Sequence, residues 1–241
     1  MIETTSTKTA IILGATIILS SVIMGTFYYR AQVAHDRDTL SVTGSAKKTV
    51  TSDRAKIILS ITRTVSIGSL ASANTAIAHD VSILKTLLKN KAVAEEDIDV
   101  SPVFMDQTYD QNQNAEIRYN LHQSVTIQSE DVAKITDISK AVPTLIAQGA
   151  IISIQSLEYY YSKLPDLRVT LLAESVKDAL ARANSIAKST GRAVGEIRGA
   201  TSGVVQVIPV NSVEVSDYGS YDTSSVDRDV MVTVKASFGL K

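Results

Sequence analysis

The apolar residues divide the chain into an uncharged N-terminal run and a longer part in which apolar and polar positions alternate. Residues 10–29 contain no charged side chain and lie between Lys8 and Arg30. A helix of about twenty residues is roughly 30 Å long, which matches the hydrocarbon core of a bilayer. The sequence therefore predicts a transmembrane anchor in residues 1–30, followed by a polar connector at 31–38.

A cleaved signal peptide is the alternative interpretation of this run. It would need an apolar stretch of about 7 to 15 residues and a small-x-small cleavage site. The run is longer, and Ala31-Gln32-Val33-Ala34 offers no pair of small residues at the required spacing. An uncleaved anchor is therefore favoured. Lys8 on one side and Arg30 and Arg37 on the other leave its orientation open on charge alone.

Small residues recur along the predicted anchor at Ala10, Gly14, Ser21 and Gly25. At 100° per residue these positions share one face of a helix. Such a face allows two helices to approach closely in lipid. We interpret it as a helix-packing face, although small residues are also common in anchors that do not pair.

After residue 38 the spacing of apolar residues alternates between two periods. Apolar residues at every second position predict strands, and those at every third or fourth position predict helices. The predicted strands are 40–42, 55–61, 98–109, 119–127, 151–160, 195–200, 204–210 and 229–238. The predicted helices are 70–90 after a Ser69 cap, 129–148 starting at Ser129, and 164–190. Gly149 and Gly191 are expected to end the second and third helices.

The same periods predict which residues are buried. In the third helix the apolar stripe is Val169, Leu172, Val176, Ala179, Ala183 and Ile186. In two strands the apolar faces are Tyr119, Leu121, Val125 and Ile127, and Val230, Val232, Val234, Ala236 and Phe238. Hairpins, one of them closed by a loop at 106–116, are mixed with helices. This mixture favours an α+β fold, with antiparallel or mixed sheets packed against helices, over a doubly wound sheet.

Charge and composition exclude several classes of function. The chain carries 24 Lys and Arg against 25 Asp and Glu, so there is no basic excess for binding nucleic acid. It contains no cysteine, which excludes disulfides, thiolate chemistry and cysteine-based metal sites.

The apparent catalytic motifs lack their partners. Ser-x-x-Lys occurs three times, but the Ser-Asp-Asn and Lys-Thr-Gly motifs that accompany it in penicillin-binding enzymes are absent. His35, His79 and His122 are predicted to be surface residues, and the glycines at 191–203 match no phosphate-binding loop. We therefore predict no catalytic, cofactor-binding or metal-binding residues.

Two groups of tyrosines are candidate interaction residues. Tyr159, Tyr160 and Tyr161 are consecutive, so on a strand at least one ring should lie near the surface; core packing with a hydrogen-bonded hydroxyl is the alternative. Tyr218 and Tyr221 lie in the long polar loop 211–228. Loops of this length are either functional or disordered.

Several short motifs occur in a fixed order along the chain. They are Leu40-Ser41-Val42-Thr43-Gly44, Asp53-Arg54-Ala55, the helix positions Ala71, Asn74 and Ala78, Ile98-Asp99-Val100-Ser101, Gly149-Ala150-x-Ile152, and Ala173, Ala179, Ala183 and Ala187 before Gly191-x-x-x-Gly195-x-Ile197. In this order they resemble the SIMPL domain family, whose bacterial members include periplasmic and outer-membrane immunogenic proteins. The resemblance covers about Thr39 to Phe238.

The resemblance implies an exported α+β domain at 39–241 that forms homo-oligomers, has no established catalytic residues, and is linked to envelope integrity or oxidative-stress defence. Together with the anchor, it predicts a non-enzymatic, single-pass protein of the inner membrane whose domain faces the periplasm or another extracytoplasmic space. The alternative is an envelope binding module that presents its tyrosine-bearing loops to a ligand or protein partner. A hydrolase with an unrecognised site is the third interpretation.

Overall fold

A computed structural model describes residues 3–37, 39–108, 117–212, 216 and 218–241, and in the first of these segments the side chains of 13–30. The helices are α1 (Glu3–Arg37), α2 (Leu70–Asn90), α3 (Val132–Ala147) and α4 (Leu164–Ser189). The strands are β1 (Thr39–Thr51), β2 (Arg54–Ser66), β3 (Ile98–Val100), β4 (Phe104–Thr108), β5 (Arg118–Ser129), β6 (Ile152–Tyr160), β7 (Val194–Pro209) and β8 (Asp227–Leu240).

The strands form two sheets, and the α+β prediction is confirmed. One sheet has three strands in the order β1-β8-β7, and the other has the order β3-β5-β2-β6 with β4 also paired to β5. The chain divides into two compact units. Unit 1 contains Met1–Ala46, Leu171–Gly203 and Val232–Lys241, and unit 2 contains Lys47–Thr170 and Val204–Met231.

Unit 2 is built on the five-stranded sheet. The central strand β2 pairs antiparallel with β5 from Ala55↔Ser129 to Ser66↔Arg118, and with β6 on its other side. Helices α2 and α3 pack on one face of this sheet. Alternation in β5 is confirmed, because Leu121, Val125 and Ile127 are buried in that core and Tyr119 packs against it.

Unit 1 has a smaller core formed by α4 with β1 and β8. The predicted face of β8 is confirmed, since Val234, Ala236 and Phe238 pack there with Ala179 and Ala183. A Cβ placed on Gly44 of β1 would lie 2.1 Å from the backbone oxygen of Ser175. The helix therefore crosses the strand almost in backbone contact, which requires glycine on the strand and small residues on the helix.

This close crossing explains why the predicted stripe of α4 is partly wrong. Val169 is 70% exposed, and Leu172 and Ile186 are also exposed. The buried positions recur every four residues at Leu171, Ser175, Ala179, Ala183 and Ala187. Four of these five are small, because a larger side chain would hold the helix away from the sheet.

The helix ends agree with the predictions, with two differences in capping. Gly149 (φ +94°) and Gly191 (φ +71°) adopt the left-handed conformation expected after a helix. The cap of α3 is Asp131 rather than Ser129, because the Asp131 carboxylate accepts a hydrogen bond from Lys134 N. Ser69 precedes α2, but its side chain makes no capping hydrogen bond.

Two strand predictions are also corrected. The predicted strand 98–109 is divided into β3 and β4, and Pro102, which has no N–H to donate, lies between them. The predicted strands 195–200 and 204–210 are a single strand, β7. The hairpin between β4 and β5 is confirmed by the pair Thr108↔Arg118, while residues 109–116 of its loop lie outside the described residues.

Helix α1 includes the predicted anchor and continues through residues 31–37 of the predicted connector. Its large apolar side chains between Leu13 and Tyr29 are all more than half exposed. Within the described residues, no helix combines the length and the mean hydropathy that crossing a membrane requires. The anchor therefore stays a prediction.

The structure describes three of the four positions of the predicted packing face of the anchor. A Cβ added at Gly14 or at Gly25 would have no neighbour within 4 Å. Ser21 Oγ donates to Ile17 O within the helix. The side chain of Ala10 lies outside the described part. Pairing through this face also stays a prediction.

Candidate functional site

The five-stranded sheet of unit 2 has a second face that is polar. Residues of β2 and β5 alternate, so the neighbours of the buried Leu59, Ile61 and Val125 point away from α2 and α3. Neutral hydrogen-bonding side chains concentrate on this side: Ser60, Thr62, Asn120, Ser124, Ser153 and Gln155. With Asp106 and His122 they line a hollow of about 450 Å³, which we call the polar face.

Strand register brings these residues together from distant parts of the chain. Thr62 lies opposite His122, which in turn lies opposite Phe104 of β4. Ser60 lies opposite both Ser124 and Ser153.

A bulge in β6 adds one more residue to the polar face. Leu59 pairs with Ile154 while Ile58 pairs with Ser156, which leaves Gln155 between them without a partner on β2. A bulge inserts an extra residue into a strand and redirects its side chain. Gln155 lines the hollow as a result.

Hydrogen bonds hold one side of the polar face in place. Thr64 Oγ1 donates to Asn120 Oδ1 at 2.6 Å, and Asn120 Nδ2 donates to Asp106 Oδ2 at 3.4 Å. His122 Nδ1 lies 3.3 Å from Asp106 Oδ1, and its ring stacks on Phe104 with centroids 5.5 Å apart. The arrangement presents a carboxylate whose position is set by an amide and an imidazole.

The three consecutive tyrosines occupy different environments. Tyr159 is buried, and its hydroxyl lies 3.1 Å from Thr136 Oγ1, as the core-packing alternative requires. Tyr160 is half-buried and its hydroxyl donates to Glu158. This hydrogen bond and burial raise the pKa of Tyr160 to about 12, and the same hydrogen bond lowers the pKa of Glu158. Tyr161, also half-buried, follows the end of β6.

The polar loop of unit 2 carries the other two tyrosines and is tied to neighbouring strands. Val207 N donates to Ser220 O at 2.7 Å, and Tyr159 N donates to Thr223 O at 2.8 Å. Tyr221 is 48% exposed, whereas Tyr218 is 96% exposed. Both rings are thus exposed, and Tyr218 is the more accessible to a partner. Residues 213–215 and 217 lie outside the described part.

A buried arginine, which the sequence patterns did not reveal, organises the end of this loop. Arg228 is 1% exposed and donates to Asp222 O and Ser52 Oγ, each at 2.5 Å. Burial lowers the pKa of its guanidinium. Its Nε and the nearby Asp222 Oδ2 have no hydrogen-bond partner among the described residues. The sequence does contain one signal for this burial, because Arg228 continues the alternation that buries Val230 and Val232.

The neighbouring Asp229 is also buried. It accepts hydrogen bonds from Lys47 Nζ at 2.9 Å and Thr49 Oγ1 at 2.6 Å. These two bonds lower the pKa of the Asp229 carboxyl. Asp229 thus serves to attach β8 to β1.

A further ion pair, which the sequence patterns also did not reveal, lies in the core of unit 2. Asp80 of α2 is 2% exposed, and it pairs with Arg63 of β2 and accepts a hydrogen bond from Ile151 N at 3.2 Å. The adjacent residue His79 is exposed, as predicted. In the described part of the chain, no cluster of three His, Cys, Asp or Glu residues could hold a metal ion.

Comparison with known proteins identifies a family but not an activity. The family model described as "SIMPL: Protein of unknown function (DUF541)" matches residues 40–238. No curated protein matches the chain.

Among solved structures, one match is to a protein from Burkholderia cenocepacia whose title describes it as a putative amidohydrolase/peptidase. The two are 14% identical, with a TM-score of 0.27, and the match covers 54% of this chain and 32% of that one. The chain thus spans about a third of that protein's length, and a similarity at this level supports no argument about fold or activity. The family model, in contrast, matches most of the chain, and the protein belongs to the SIMPL (DUF541) family.

Proposed function

We propose that this protein is a non-enzymatic, membrane-anchored protein of the cell envelope whose extracytoplasmic domain self-assembles into a homo-oligomer. A link to envelope integrity or oxidative-stress defence rests on the resemblance described above. The observation that carries the assembly proposal is the exposed edge of β7.

The edge of β7 is open over about half of its length. This strand lies at one end of the order β1-β8-β7, and every residue from Glu196 to Gly203 is exposed. An edge strand has unpaired N–H and C=O groups that can pair with a strand of another chain. Monomeric proteins usually protect such edges with charged side chains, above all lysine, or with proline or bulges. Residues 199–203 carry no charge and no proline, so they suit pairing between two copies.

The anchor proposal rests on residues 10–29. Large apolar side chains such as Ile17, Met24 and Phe27 are exposed on α1, and lipid is the environment in which this exposure has no cost. Tyr28 and Tyr29 follow at the end of the run, where aromatic residues favour the membrane interface. We propose a single pass through the inner membrane, with the domain on the periplasmic or extracytoplasmic side.

The assembly proposal predicts that a charge on the open edge dissociates the oligomer. Ala200→Lys and Thr201→Lys each place a lysine on β7. Both positions are exposed, so the fold should tolerate the substitutions. The matched control, Ser185→Lys, adds the same charge to an exposed position of α4. The mass of the full chain in detergent, measured by light scattering, should fall for the two edge variants and stay unchanged for the control.

A monomeric wild-type chain, or edge variants that keep the wild-type mass, would contradict this proposal. A monomer would favour the alternative, a binding module whose exposed Tyr218 contacts a ligand or protein partner.

A further inference from the structure

The polar face is rich in neutral hydrogen-bonding side chains. The exposed side of an antiparallel sheet is typically polar. In the hollow, six lining residues are neutral amides or hydroxyls, and the other two, Asp106 and His122, form a pair. A surface of this kind offers many hydrogen bonds and little net charge.

These side chains match a ligand whose groups both donate and accept hydrogen bonds. The amides of Asn120 and Gln155 have donors and acceptors, and each serine hydroxyl can act as either. A sugar hydroxyl has the same dual character. The Asp106 carboxylate, held by Asn120 and His122, is an acceptor for two neighbouring hydroxyls.

An aromatic ring lies beside these polar groups. The ring of Phe104 stacks on His122 with an interplanar angle of 25°, and Phe104 remains 51% exposed. The C–H-rich face of a pyranose is apolar and packs against such a ring. Phe104 therefore supplies an apolar platform, while the residues of β2 and β5 supply the polar contacts.

Other classes of ligand fit less well. An anionic ligand would need lysine or arginine, and the lining has neither while Asp106 would repel it. The centre of a protein–protein interface is enriched in tyrosine, tryptophan, phenylalanine, methionine and arginine. Phe104 borders the hollow, but the residues that line it are hydroxyls and amides with Asp106 and His122, and none of them belongs to this group. We infer that the polar face binds a neutral saccharide chain. This site is independent of the anchor and of the β7 edge, and it goes beyond the function proposed above.

The experiment measures sugar binding by the full chain in a detergent without a sugar headgroup, so that the detergent does not compete. The probes are neutral trisaccharides of glucose, galactose, mannose and N-acetylglucosamine. Their binding is measured by saturation-transfer NMR and calorimetry. At least one should bind with a Kd in the millimolar range or tighter, which corresponds to about −4 kcal/mol or better. A trisaccharide of uronic acids should bind more weakly, because its carboxylates face Asp106.

Variants test whether binding occurs at this site. Asn120→Ala and Phe104→Ala should each weaken binding by roughly tenfold, the effect of about 1.4 kcal/mol. Gln155→Ala, at an exposed bulge residue, tests the same site with little risk to folding. Asn90→Ala, at the exposed end of α2, is the matched control and should leave the Kd unchanged.

Three results would overturn the inference. One is the absence of binding to every neutral probe. Another is binding that neither Asn120→Ala, Phe104→Ala nor Gln155→Ala weakens. The third is a change in oligomer mass on these substitutions without sugar binding, which would identify a second copy of the chain as the occupant of the polar face.

Discussion

At the scale of single residues, the buried charges of unit 2 are each held by several partners. Arg228 bonds to Ser52 and to the backbone of Asp222, Asp229 bonds to Lys47 and Thr49, and Asp80 bonds to Arg63 and Ile151. A charge that is removed from water is costly unless it is paired and hydrogen-bonded. These contacts therefore specify which segments meet, and removing one partner should strongly reduce the free energy of unfolding.

Asp229 leads to a pH-dependent prediction. Hydrogen bonds from Lys47 and Thr49 lower the pKa of its carboxyl in the folded state, so its stabilisation is present above the unfolded pKa of about 3.9 and is lost as the pH falls through the folded pKa. Asp229→Asn should reduce the free energy of unfolding by about 2 kcal/mol at pH 7. The difference in melting temperature between variant and wild type should narrow as the pH falls below about 4.

Asp227→Asn is the matched control for this prediction. Asp227 is exposed and accepts a hydrogen bond from Thr51 Oγ1. Removing its charge should therefore change the free energy of unfolding by less than about 1 kcal/mol. Equal losses for both variants at pH 7 would show that burial of Asp229 is not the cause.

At the scale of elements, the crossing of α4 over β1 is the most demanding contact of unit 1. Ser175 Oγ donates to Leu171 O at 2.8 Å and to Val232 O at 2.9 Å, so the helix is also bonded to β8. Ser45 N donates to the Asp178 carboxylate at 2.8 Å on the next turn. These bonds hold the helix at a distance that leaves no room for a Cβ at position 44.

Gly44→Ala should therefore destabilise the protein although both residues are small. The added Cβ would lie 2.1 Å from Ser175 O and 2.4 Å from Ala179 N, and backbone atoms cannot move away as a flexible side chain can. We expect a loss of about 1 to 3 kcal/mol in the free energy of unfolding, measured by denaturant titration.

Gly199→Ala provides the comparison. Gly199 lies on β7 with nothing within 4 Å of an added Cβ, so the substitution should be neutral or slightly stabilising. If Gly44→Ala were as harmless as Gly199→Ala, the close crossing of α4 and β1 would be refuted.

At the scale of the whole molecule, the proposed anchor would determine where the units operate. The apolar run has no charge between Lys8 and Arg30, and no small-x-small pair follows it. Intact-mass measurement should therefore find residues 1–30 retained, and the protein should remain in the membrane fraction after carbonate extraction. A mature chain that begins after residue 30 would contradict the prediction.

A pair of substitutions sharpens this test. Ile17→Arg with Val22→Arg places two charges near the middle of the run, each costing about 3 kcal/mol at the centre of a bilayer. This variant should be lost from the membrane fraction, whereas Arg30→Lys, which keeps the flanking charge, should remain there.

Much of the local structure could be predicted from the sequence. The bounds of α2, the buried faces of β5 and β8, and the glycines after α3 and α4 all follow from periodicity and backbone conformation, which act over a few residues. The α+β class follows from the order of these elements. The SIMPL resemblance was likewise carried by short motifs in a fixed order, and the family match over residues 40–238 agrees with it.

Tertiary structure decided the features that depend on residues far apart in the chain. The buried side of α4 is its small-residue side, because Gly44 brings β1 into near contact with it. Arg228 is buried because Ser52, which precedes it by 176 residues, supplies a partner. The polar face exists because strand pairing joins β4, β5, β2 and β6 and a bulge adds Gln155. Periodicity along one segment describes which way a side chain points, but only the pairing of distant segments determines what it meets.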